Sequence, residues 1–258
     1  MNNLLRVDKL SKSFGGVAAV SGVGFEMRKP EIVGLIGPNG AGKTTIINLI
    51  SGVYRLDHGT VEFKGEDIRK LKPSAIVRKG LARTFQATVL YKHATVLENV
   101  LRGLQVRAGF NLAETIFRPA AAGRRYRAAV DEAMSLLEFV GLDSSVAQAA
   151  AGALPYGHQK ALGIAIALAT RPSLLLLDEP VAGMNPEESS QVAELIRGIH
   201  GRGIGIILVE HNMKVVMGLC HRIVVIDQGA KIAEGTPDEV QRNDEVIRAY
   251  LGDASEYD

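Results

Sequence analysis

The eight residues Gly37-Pro38-Asn39-Gly40-Ala41-Gly42-Lys43-Thr44 constrain this chain more than any other stretch. The apolar run Ile32-Val33-Gly34-Leu35-Ile36 leads into them, and Thr45-Ile46-Ile47-Asn48-Leu49-Ile50, with a helical pattern, leaves. A strand that turns through glycines into a helix can point consecutive backbone N–H groups into one concavity, an anion nest. The helix start adds its own N–H groups and the positive end of its dipole. The spacing is G-x-x-x-x-G-K-[ST], the phosphate-binding P-loop. Gly37 to Thr45 then form a cradle for nucleotide phosphates. Lys43 reaches the β- and γ-phosphates, and the Thr44 hydroxyl ligates Mg²⁺. The alternative is a glycine turn that happens to end in Lys-Thr; the strand before and the helix after argue against it.

A length of 258 residues allows a large core, in one big domain or a core with a subdomain. Apolar residues make up 47% and charged residues 22%, an ordinary globular balance. The formal charge of +2 argues against bulk electrostatic binding to nucleic acid. One cysteine, Cys220, excludes an internal disulfide and fits a reducing compartment. The start Met1-Asn2-Asn3-Leu4-Leu5-Arg6 has neither a basic n-region nor an apolar h-region, so no signal peptide is expected. The apolar stretch from Ala161 to Leu177 is broken by Arg171-Pro172 and is too short to span a bilayer. A role at a membrane therefore has to come through a partner.

The first 35 residues read as short strands with glycine turns: Leu5 to Asp8, an apolar Val17 to Val20, and Gly24 to Met27. Gly59 to Gly65 reads as another strand. From about Val96 to Gly141 the pattern is helical and alanine-rich, with Arg118, Arg124, Arg125 and Arg127 on a solvated face or against an acidic partner loop or lipid headgroups. A helix (His158 to Thr170), a strand (Leu174 to Asp178), a helix (Glu187 to His200) and a strand (Ile204 to Val209) follow, then a hairpin across Gln228-Gly229. This order predicts an α/β fold: a mostly parallel P-loop NTPase sheet, RecA-like, with an N-terminal antiparallel β subdomain and a helical insert. The expected division is one domain over 1–258, with its core at about 1–86 and 158–233, the helical subdomain at about 87–157 and a tail at 234–258.

Leu174-Leu175-Leu176-Leu177-Asp178-Glu179 is an apolar strand that ends in two carboxylates. A P-loop nucleotidase needs one acid at a strand end to hold Mg²⁺ through its water shell, and Asp178 fits. It also needs a group to orient or deprotonate the attacking water, and Glu179 is placed for that.

Behind that P-loop the whole chain resembles the ATP-binding-cassette ATPases. Thr84-Phe85-Gln86 matches the family's Q-loop, whose glutamine binds Mg²⁺ and senses a transmembrane partner. Leu154-Pro155-Tyr156-Gly157-His158-Gln159 lies where the signature loop lies, which caps the γ-phosphate held by the other subunit, so Gly157 is expected to act in trans. Ala182-Gly183-Met184-Asn185 matches the D-loop, and Glu210-His211 the switch histidine. His211, at the end of an apolar strand, can donate a hydrogen bond to the γ-phosphate. Phe14 matches the aromatic that stacks on adenine, with Val20 nearby. The signature departs from the family at Pro155, which has neither the hydroxyl nor the N–H of serine, and at His158. Asn185 stands where the D-loop usually has an acid.

Tyr156, the run Val209 to Met217 and the tail from Ile232 to Gly252 look like the larger ATPase of bacterial branched-chain amino acid importers. Urea and short-amide importers and the lipopolysaccharide-export ATPase share much of this pattern. The resemblance implies a motor subunit that uses ATP and Mg²⁺ at the cytoplasmic face of the inner membrane. Its implied partners are two integral-membrane permeases, a second ATPase of the same family and, indirectly, a periplasmic solute-binding protein; nucleic acid is not among them. A soluble chromosome or repair ATPase would carry a long coiled coil, and no heptads occur here. A translation-associated ATPase would carry tandem cassettes, and a phosphotransferase gives no reason for His211.

Overall fold

The computed structural model describes residues 3–84, 90–108 and 119–251. The chain first forms β1 (Leu5–Phe14), β2 (Val17–Met27), β3 (Ile32–Ile36), α1 (Lys43–Ile50), β4 (His58–Phe63), β5 (Glu66–Asp67) and α2 (Pro73–Lys79). Then come β6 (Leu81–Arg83), α3 (Val96–Ala108), α4 (Pro119–Phe139) and α5 (Tyr156–Ala169). The last stretch holds β7 (Leu174–Asp178), α6 (Pro186–Gly201), β8 (Gly205–Val209), α7 (Met213–Leu219), β9 (Arg222–Asp227), β10 (Ala230–Gly235), α8 (Pro237–Gln241) and α9 (Asp244–Leu251). Two compact units result: Met1–Ile76 with Ser173–Asp258, and Val77–Pro172.

The first unit contains two sheets. One is antiparallel, in the order β2-β1-β4-β5. The other has the order β10-β9-β3-β8-β7, with β3 parallel to β8 and β9, β7 parallel to β8, and β10 antiparallel to β9. Every residue of β3, β7 and β8 is buried. That is why their sequences are unbroken apolar runs rather than alternating ones: a central parallel strand is covered on both faces. The late hairpin is β9 and β10. Cys220 lies buried beside Gly34, and desolvation pushes its thiol up to about 12, so it packs as an inert apolar group.

At the N-terminus the strands are longer than their pattern implies. β1 and β2 pair from Leu5↔Met27 to Phe14↔Val17 as one continuous hairpin, closed by Gly15 and Gly16. The register shifts three times along the pair, and Lys9 takes φ +50°. Each bulge resets the inside–outside alternation, so one long strand reads as separate short ones.

In the second unit α3 and α5 cross at a glycine. A methyl group at Gly103 would stand 2.6 Å from the Ile166 carbonyl oxygen, so the helix backbones meet there without an intervening side chain. The unit Val77–Pro172 includes the whole of α5. Asn99 is buried and pins the preceding loop: its Oδ1 accepts the Tyr91 N–H at 3.0 Å and its Nδ2 donates to the Thr95 carbonyl at 2.8 Å. Arg124, Arg125 and Arg127 are exposed on α4; Arg118 lies outside the described residues. Among the described residues no helix is long and apolar enough to cross a membrane.

Candidate functional site

Strand register brings three chain ends together in the first unit. Leu35 of β3 and Asp178 of β7 both pair with Val209 of β8. These three residues form one row across the sheet, so the segments that follow them leave the same C-terminal edge. That edge is where ligands bind in open α/β sheets. From β3 it receives Gly37 to Thr44, from β7 Glu179, and from β8 Glu210 and His211.

The loop after β3 is shaped by backbone contacts. Gly37 takes φ +153°, and a methyl group there would collide with the Ile226 carbonyl of β9. Gly42 takes φ +99°, and its methyl would stand 2.5 Å from the Ala19 carbonyl oxygen. Only glycine meets both demands. The first bond of the α1 ladder runs from the Ile46 N–H to the Gly42 carbonyl at 2.9 Å. The N–H groups of Lys43, Thr44 and Thr45 stand before that bond, outside the helix's own ladder. Thr44 is exposed. Lys43 is 6% exposed and folds over the loop, its Nζ donating to the carbonyls of Gly37 and Pro38, each at 2.7 Å. Burial holds its pKa below the ordinary lysine range, while the Glu179 and Asp178 carboxylates pull the other way. N–H groups, an ammonium and a hydroxyl make a donor-rich concavity, which suits a phosphate chain.

Asp178 is 3% exposed at the end of β7. Glu179 follows with φ +50°, a left-handed conformation uncommon outside glycine and asparagine. Its N–H donates to the Val209 carbonyl at 2.9 Å. Its Oε1 lies 2.7 Å from His211 Nε2, with side-chain exposures of 16% for Glu179 and 44% for His211. The carboxylate and the imidazole thus form a pair that solvent can reach. Thr44, in the first turn of α1 after β3, and Asp178, at the end of β7 on the other side of β8, supply the oxygen chemistry that Mg²⁺ takes.

The remaining sequence candidates are placed unequally. Phe14 is 43% exposed and meets Tyr54 edge to face, ring centroids 5.3 Å apart. Sequence reasoning missed Tyr54; the glycine turn after α1 was its only signal. Val20 departs from the expectation: it is 1% exposed and packs under Gly42, so it supports the loop from beneath and offers no face to a base. Gln86 lies outside the described residues. Gly157 stands in the first turn of α5, and among the described residues outside that turn no atom lies within 4 Å of the place a side chain would fill. Pro155 is the N-cap, and the first ladder bond of α5 joins the Gln159 N–H to the Pro155 carbonyl at 3.0 Å. The N–H groups of Tyr156, Gly157 and His158 precede that bond, so this helix start keeps donors without a serine. Asn185 caps α6 in a reciprocal capping box: its Oδ1 accepts the Glu188 N–H and Glu188 accepts the Asn185 N–H, both at 2.9 Å. The amide oxygen does the capping that an aspartate would do.

Residues 20–182 match a family model described as ABC transporter, and residues 230–256 one described as branched-chain amino acid ATP-binding cassette transporter. The chain is 42% identical over 252 residues to the high-affinity branched-chain amino acid transport ATP-binding protein BraF of Pseudomonas aeruginosa, covering 97% of this chain and 98% of that one. The lipopolysaccharide export system ATP-binding protein LptB of Haemophilus influenzae is 33% identical over 97% of this chain and 98% of its own. Among solved structures, the ADP conformation of an ATP-binding cassette of an ABC transporter superposes with a TM-score of 0.83 at 31% identity, covering 98% of this chain and 100% of that one.

Proposed function

Because this chain belongs to the ABC transporter family as an ATP-binding subunit, we propose that it is the ATP-hydrolysing motor of a membrane importer for branched-chain amino acids. The observation that carries the substrate assignment is the match of residues 230–256 to the branched-chain amino acid cassette model. That stretch lies outside the ATP-site motifs, so it separates this subgroup from cassettes that share only the chemistry. The 33% identity to a lipopolysaccharide-export protein is the weaker reading. The decisive measurement is uptake of labelled leucine in a strain lacking this chain. Wild type should restore it and Lys43→Ala should not. Uptake that is normal without the chain would remove the assignment.

In this reading the Gly37–Thr45 loop grips the phosphates of ATP, and Phe14 presents a ring to the adenine. Thr44, Asp178 through water and Gln86 would hold Mg²⁺, which would supply positive charge beside the phosphates. Glu179 accepts a proton from the attacking water. His211 holds Glu179 in place and donates to the γ-phosphate. The N–H groups of Gly157 and its neighbours serve the site of a second ATPase of the family. Two permease subunits receive the motion, a solute-binding protein supplies the cargo, and the chain works at the cytoplasmic face of the membrane without entering it.

His211→Ala should lower turnover far more than ATP affinity. A hydrogen bond to a charged group is worth about 1.5–3 kcal/mol, or about 10- to 150-fold in rate when it is made only in the transition state. Stopped-time hydrolysis and calorimetric titration separate the two. An equal loss of ADP affinity would point to a folding defect instead.

A further inference from the structure

We propose that Glu210 is the positioning residue of the hydrolytic site, tying the loop that leaves β7 to the turn that leaves β8. This rests on the reading that Glu179 and His211 act in hydrolysis. Glu210 directly follows β8 and is 3% exposed. Its Oε1 accepts the Val181 N–H at 2.8 Å. Its Oε2 accepts the His211 N–H at 3.0 Å and the Asn212 N–H at 3.3 Å. One buried carboxylate thus gathers three backbone donors from two loops, and each loop carries one member of the Glu179–His211 pair.

The arrangement answers a need created by Glu179. Its φ of +50° is a strained conformation that persists only where the surroundings over-determine it. The Glu179 N–H is fixed to Val209 on one side. Two residues on, Glu210 fixes Val181. The strained turn is therefore clamped at both ends by consecutive residues, Val209 and Glu210. The same carboxylate holds the backbone of His211, so Glu210 ties together the two loops whose side chains meet in the 2.7 Å contact between His211 and Glu179.

Glu210→Gln keeps the size but replaces one acceptor with an NH₂ group. The amide oxygen can stay with the two N–H groups on the His211 side, which leaves NH₂ facing the Val181 N–H. Amide exchange in the nucleotide-free full chain should then quicken at Val181. In the full chain with MgATP, kcat should fall about 10-fold or more while the Kd for ATP stays within about twofold. In a His211→Ala background the same substitution should change kcat by less than about twofold, because residues that act through one another are not additive. Equal falls in both backgrounds, parental turnover in Glu210→Gln, or unchanged exchange at Val181 would overturn the proposal. If Glu210→Gln does not fold, Glu210→Asp, which keeps both oxygens but is one methylene short, is carried through the same cycle and the same exchange measurement. A wild-type chain that does not hydrolyse ATP would defeat the functional reading, and the exchange result would still judge Glu210.

Discussion

Glu179→Gln should bind ATP as tightly as the wild-type chain and fail to hydrolyse it. Glutamine matches glutamate in size and can keep a contact with His211 Nε2, which stands 2.7 Å from Oε1. The backbone cost of φ +50° is unchanged, since both residues carry the same unbranched Cβ. What disappears is the capacity to accept a proton. A positioned general base contributes about 10²- to 10⁴-fold, so kcat should drop by about that factor. Binding is supplied elsewhere, by the N–H groups ahead of Ile46 and by Lys43. Removing a negative charge that acts on Lys43 also leaves the ammonium freer for phosphate, so affinity should hold or rise. Turnover within about threefold of wild type, against the 10²-fold minimum expected when a base is removed, would show that another group takes the proton.

The sequence made legible what is local. The P-loop could be read because two backbone conformations, at Gly37 and Gly42, demand glycine at fixed positions, and Lys43 and Thr44 follow at once. β7 and β8 could be read because burial on both faces leaves a continuous apolar run. Asp178 and Glu179 then stand out as carboxylates at the end of one such run. What stayed hidden depends on partners far along the chain. Glu210 looks like an ordinary polar residue after a strand until Val181, 29 residues away, brings its N–H to it. Resemblance alone puts Val20 beside the base. Its burial comes from the fit of β2 against the loop at Gly42, which no local pattern encodes. Asn185 reads as a departure from its family, yet a capping box needs an acceptor oxygen rather than a charge. Tyr54 meets Phe14 only because the chain folds back after α1, where the Asp57 carboxylate accepts the Ser13 N–H at 2.8 Å.

Lys43→Ala should abolish tight ATP binding, and a second variant separates the effect of charge from that of packing. The ammonium is held over the loop by the Gly37 and Pro38 carbonyls, each 2.7 Å away, so it waits beside the place where phosphates would lie. A charge-assisted hydrogen bond is worth about 1.5–3 kcal/mol, so removing each one that Lys43 makes to phosphate should raise Kd about 10- to 150-fold. Alanine also removes the donor from two loop carbonyls, the first of them buried, and truncates a side chain that is 6% exposed. Lys43→Met keeps most of the aliphatic stem and removes only the ammonium. Both variants should lose ATP affinity to a similar extent, while alanine alone should suffer the additional fall in Tm expected of a cavity. The nucleotide series adds a control. AMP has no β- or γ-phosphate, so its weak binding should be insensitive to either substitution. If Lys43→Met bound ATP like wild type, or if AMP binding fell in parallel with ATP, the ammonium would not be the group that holds phosphate, and the loop's affinity would have to come from its backbone N–H groups alone.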